Sequence, residues 1–136
     1  MPDIKLPRLN RMFGIACCLS PFHSQNLVMV QSHLKRFADE ANKDFPKKID
    51  AETAVLRIDV TNAGIVNRYK ATSLTYSQIR RAGIMDQIKP VLRQQSCSNR
   101  SYRKAMEKGF TVSYSYVDRD NVPAGVVTIT RTDCGI

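Results

Sequence analysis

The stretch from Cys97 to Cys134 constrains this chain more than any other. It holds a cysteine, a short basic segment with helical spacing, Gly109 as a stop, an alternating strand, a polar turn, a second alternating strand and a second cysteine. Phe110, Val112, Tyr114 and Tyr116 alternate with Thr111, Ser113 and Ser115, and Val127 and Ile129 alternate with Thr128 and Thr130. A two-residue period puts each set on one face of a sheet, so each strand turns one side to a core and the other to water. Asp118 to Gly125 supplies the turn between them. Asn99 suits a helix N-cap, and Tyr102, Ala105 and Met106 then share the buried side of a helix that runs to Lys108.

Pairing the two strands as a hairpin brings the end of the second beside the start of the first. A helix over 99–108 that folds back across the sheet then carries Cys97 toward Cys134. The path permits the Cα approach of about 5.5–6 Å that a disulfide requires. The alternative is two buried thiols acting as small apolar side chains. The two readings imply different compartments: a bond belongs to an oxidising space such as the periplasm, and reduced thiols to the cytoplasm.

Upstream, Leu27, Val30, Leu34, Phe37, Ala38 and Ala41 recur at spacings of three and four, which predicts a helix from Ser24 to about Lys43. Lys47 to Thr53 reads as a polar turn. Val55 to Val60 alternates, Asn62-Ala63-Gly64 marks a turn, and Ile65 to Tyr76 gives a second strand. The hairpin so formed turns Arg57, Asp59, Arg68 and Lys70 to solvent. Gln78 to Cys97 is helical in pattern, with Pro90 predicting a kink or a division into two short helices. The expected fold is α+β in the order α-β-β-α-α-β-β: an antiparallel sheet of about four strands with helices on one face. Residues 24–136 form that single domain, and residues 1–23 an N-terminal arm or a degenerate export or lipoprotein signal.

In that N-terminal part, Lys5, Arg8 and Arg11 precede the apolar run Met12 to Leu19, as in an export signal, with Cys17 a candidate for lipidation. Anchoring at a membrane is expected only with such a lipid. The whole chain carries a formal charge of +9. A balance this basic suits an anionic partner. Eight cations lie between Arg80 and Lys108 against Asp86 and Glu107. Arg80, Arg81, Arg93, Arg100, Arg103 and Lys104 are the candidates for contact with nucleic acid or another anionic surface.

Cys17 and Cys18 are adjacent, and neither cysteine pair has the spacing of a zinc site. No cofactor or metal is expected. His23 and His33 have no nucleophile arranged beside them in the pattern, and no phosphate-cradling glycine loop is present, so the reading is of a non-enzymatic protein. Asp118 and Asp120 share one turn and are weighed as a cation site against ordinary turn residues.

The segment Cys97…Glu107-Lys108-Gly109-Phe110-Thr111-Val112-Ser113-Tyr114…Asp118…Thr130-Arg131-Thr132-Asp133-Cys134-Gly135 resembles the C-terminal half of small bacterial envelope proteins that include the AspS-like, beta-class pilotins of type II secretion systems. A looser match covers Phe37 to Asn42. The resemblance implies a periplasmic α/β domain with a disulfide. For a pilotin it further implies lipid anchoring and capture of a helical tail of a secretin subunit. A helix laid in an apolar groove is the expected mode of recognition, with the groove placed at Ile88, Leu92, Tyr114 and Tyr116.

Overall fold

The computed structural model describes residues 21–136, with side chains from Leu27 onward. Five strands, β1 (Lys47–Asp50), β2 (Thr53–Val60), β3 (Gly64–Ala71), β4 (Thr111–Val117) and β5 (Pro123–Ile129), lie side by side in chain order. Helix α1 (Pro21–Asn42) precedes them. Helices α2 (Tyr76–Arg81), α3 (Ile84–Ser98) and α4 (Arg100–Glu107) separate β3 from β4, and a 3-10 turn (Arg131–Cys134) ends the fold.

The α+β class and the two hairpins match the sequence reading, but the sheet is not wholly antiparallel and has five strands rather than about four. β3 and β4 run parallel, from Gly64 beside Thr111 to Lys70 beside Val117. The three helices between them form a crossover that returns the chain to the same end of the sheet. The extra strand is β1, in the segment expected to be a turn. All four of its residues are exposed, so it has no apolar face to show in a sequence.

Three rows of side chains point toward the helices. Val60, Ile65, Val112 and Ile129 form the first, and Ile58, Asn67, Tyr114 and Val127 the second. Val55, Tyr69, Tyr116 and Gly125 form the third. A bulge at Leu56 keeps both Val55 and Ile58 on this face. The first two rows meet Leu34 and Ala38 of α1, Leu92 of α3, and Tyr102, Ala105 and Met106 of α4 in one core. At Gly64 the backbones of β3 and β4 approach so closely that a Cβ would overlap the carbonyl oxygen of Thr111.

Helix ends are fixed by named side chains. Asn42 closes α1 by reaching into β2: its amide donates to the Ile58 carbonyl at 2.9 Å and its oxygen accepts from the Ile58 N–H at 2.7 Å. β1 pairs only with residues 53–55, so Asn42 supplies at Ile58 the partners that a longer β1 would have provided. The helical stretch 76–98 does divide, but at Gly83, which adopts a left-handed conformation (φ 63°), and not at Pro90, which stands inside an unbroken α3. Asn99 caps α4 by accepting from the Tyr102 N–H at 3.0 Å.

Cys97 and Cys134 form a disulfide with Cα atoms 5.4 Å apart. It ties the junction of α3 and α4 to the residues that follow β5. In the chain-entropy account a loop of this length contributes about 4 kcal/mol.

Candidate partner-binding site

The helices cover the sheet unevenly. Both ends of α4 are held at the end of the sheet where β4 begins: Asn99 follows the cystine, and Glu107 leads into Thr111. Its Tyr102 hydroxyl reaches down only to the second row, donating to Asn67 Oδ1 at 2.9 Å. α1 runs along β2 and stops at Ile58, also in the second row. α3 follows β5, with Met85 against Gly125 at its start. The middle of the third row, Tyr69 and Tyr116, is only half-buried, and this strip between the end of α1 and the start of α3 is called the trough below. Phe45 flanks the α1 side, and Met85 and Ile88 the α3 side; all are half-buried against the core.

The trough floor is aromatic. Tyr69 stands edge-on to Tyr116 at 5.3 Å and to Tyr114 at 5.5 Å between ring centroids. Tyr114 shares a 2.8 Å hydrogen bond with Ser96, and Tyr102 uses Asn67. The hydroxyls of Tyr69 and Tyr116 have no such partner among the described residues. Burial, with the neighbouring Tyr114, pushes Tyr69 up to about 12. Burial, with Tyr69, Tyr114 and Asp50, pushes Tyr116 up as well. Both are therefore neutral at physiological pH and present an apolar ring with a polar tip, the combination enriched where proteins meet.

Of the four residues expected to line a groove, Leu92 and Tyr114 are enclosed in the core at 4% and 2% exposure. Ile88 and Tyr116 remain half-buried in the trough. Tyr69 was not among the four, because in sequence it is one more member of an alternating strand. Only the parallel register of β3 on β4 brings it beside Tyr116.

The basic candidates do not converge. Arg80 and Arg81 lie on α2, before α3 begins; Arg100, Arg103 and Lys104 lie on α4, after it ends. Fifteen residues of helix between them span about 22 Å. Arg93, on α3 itself, faces Asp133, and the half-buried Arg103 donates to the Cys97 carbonyl at 3.4 Å. Cys17 lies outside the described residues.

Asp118 is not poised for a cation. Its carboxylate accepts the backbone N–H groups of Tyr76, Asp120 and Val122, each at 2.8 Å, and so clamps the β4–β5 turn to the start of α2. Burial would raise its pKa, but these three donors and Arg119 prevail and hold it below the ordinary carboxylate range. Among the described residues no three His, Cys, Asp or Glu side chains gather as a metal site, and no helix is long and apolar enough to cross a membrane.

Residues 23–135 match the family described as “Putative quorum-sensing-regulated virulence factor”. The chain belongs to that family. No curated protein sequence matches it. Among solved structures it is similar to a “putative secreted protein” of Pseudomonas aeruginosa, with a TM-score of 0.68 and 19% identity over 79% of this chain and 94% of that one. It is also similar to EpsS, a pilotin of the Vibrio vulnificus type 2 secretion system, with a TM-score of 0.65 and 10% identity over 82% and 96%. AspS, the type II secretion system pilotin of Vibrio cholerae, gives 0.61 and 9% over 82% and 97%. At these identities the likeness is one of fold, and it runs nearly the full length of each neighbour.

Proposed function

We infer that this protein is a non-enzymatic accessory protein of a bacterial secretion system. In this reading it works in the periplasm or cell envelope and captures a partner helix in the trough at Tyr69, Tyr116 and Ile88. The partner is a secretin or another secretion-system subunit. Its helix would set apolar side chains on the aromatic floor and an acceptor near the Tyr69 and Tyr116 hydroxyls. The observation that carries the reading is the half-buried Tyr69–Tyr116 pair, left uncovered by α4 on a fold shared with pilotins. The disulfide supports the oxidising compartment. An arm over residues 1–23 with a lipid on Cys17 would place the domain at a membrane, and the mass of the mature protein reads this directly.

The test is a photo-crosslinking amino acid at Tyr116 in the full chain, expressed in its own cells. A crosslink to a secretion-system subunit, lost in Tyr69→Ala, is the expected result. Crosslinks to no envelope protein, while the same label at the exposed Val91 captures a secretion subunit, would overturn the placement of the site.

A further inference from the structure

The sheet face turned away from the helices carries a second arrangement, independent of the trough. Arg57 of β2 and Arg68 of β3 stand directly opposite one another across the strands, a juxtaposition of like charges that is unfavourable by itself. Asp59 resolves it. One carboxylate oxygen accepts from the Nε of Arg57 at 3.2 Å and from the Nε of Arg68 at 2.8 Å. Burial pushes the Asp59 pKa up, but hydrogen bonds and charge from Arg68 and Arg57 outweigh it and hold the carboxyl below its ordinary value.

Both guanidinium groups are thus fixed through Nε. Their Nη groups make no hydrogen bond among the described residues and remain free to act as donors. Lys70, two residues along β3 on the same face, forms no ion pair among the described residues. Ser115 lies beside Arg68 in the parallel register, its hydroxyl also without a partner among them.

We propose that Arg57, Arg68, Lys70 and Ser115 form an oxyanion site for a phosphate monoester, with Asp59 as the positioning residue that aims the two arginines. Three cations against one carboxylate leave a surplus of two positive charges. A phosphate monoester carries about −1.5 to −2 at neutral pH and three acceptor oxygens, which matches that surplus; a single carboxylate does not. The planar guanidinium fork suits phosphate geometry. The phosphate belongs either to a lipid headgroup or to a soluble compound.

The experiment titrates the full-length protein with inorganic phosphate at constant ionic strength, following the arginine Nε–H resonances. Wild type shows saturable shifts at Arg57 and Arg68. R57Q/R68Q weakens binding at least tenfold, whereas R80Q/R81Q, which removes the same charge from α2, changes it less than twofold. Asp59→Ala decides the mechanism. It adds one unit of net positive charge, so attraction by diffuse charge predicts tighter binding, whereas an aimed pair predicts weaker binding. No saturable shift in wild type, equal losses in the two double variants, or tighter binding in Asp59→Ala would each overturn the proposal. Vesicles containing phosphatidic acid that recruit wild type but not R57Q/R68Q place the phosphate on a lipid. Phosphate shifts without recruitment place it on a soluble molecule.

Discussion

The two faces of the sheet use their polar groups in opposite ways. Toward the helices, buried polar atoms are answered within the protein: Asn67 by Tyr102 and the Ser113 carbonyl, Tyr114 by Ser96. Away from the helices, Asp59 gathers two arginines, while Ser113 shares a 3.1 Å hydrogen bond with Thr128 in the open. A partner lost on the first face leaves a desolvated group, which is costly. A partner lost on the second is replaced by water. Stability should therefore reside on the helix face and be nearly indifferent to change on the open face. In the trough, the Tyr69 and Tyr116 hydroxyls have no partner among the described residues.

The largest expected effect tests whether the cystine serves the helix face alone. Replacing Cys97 and Cys134 by serine should lower unfolding stability by about 4 kcal/mol in urea titrations. The response of Arg57 and Arg68 to phosphate should not change while the protein is folded. If that response also disappears, the two faces are not independent.

Next comes Tyr102→Phe, which removes one hydroxyl and leaves Asn67 Oδ1 buried without its donor. The expected cost is about 1–3 kcal/mol by denaturant unfolding. A cost indistinguishable from zero would mean that water enters beside Asn67 and the face is less sealed than its burial implies.

The smallest effect is Asp59→Asn, at about 0–1 kcal/mol, because the pair is largely solvent-screened. pH separates the faces further. Asp59 has a depressed pKa when folded, so its contribution is present above the unfolded value of about 3.9 and is lost as pH falls through the lower folded one. Tyr69 is raised to about 12, so its contribution is present below the unfolded value of about 10 and is lost as pH rises through the folded one. Asp59→Asn should flatten the acid limb of a stability–pH curve and Tyr69→Phe the alkaline limb. Equal flattening of one limb by both would refute the division.

Much of this was legible in the chain. Alternation at Val112, Tyr114 and Tyr116 and at Val127 and Ile129 gave the second hairpin, and Asn99 and Gly109 gave the limits of α4, because local spacing reports local structure. The solvent side of the first hairpin was readable in the same way, down to Arg57, Asp59, Arg68 and Lys70. What they do together was not, since it depends on the cross-strand register and a bulge at Leu56. The parallel union of β3 with β4 left no local trace either, and the Tyr69–Tyr116 floor went unseen with it. Pro90 drew attention away from Gly83, whose left-handed backbone makes the actual break. The arginines at Arg80 and Arg100 looked like one basic region because sequence proximity conceals the length of α3.

Asn42 has a consequence for what the sheet refuses. Open strand edges are templates on which another chain can grow, and proteins that tolerate them tend to aggregate. At Ile58 the N–H and C=O that would guide an incoming strand are already occupied by a side-chain amide anchored to α1. On that side β1 offers an exposed edge of four residues, which begins with Lys47 and Lys48. Loss of Asn42 should thus be felt first as stickiness between copies at high concentration, before any loss of fold.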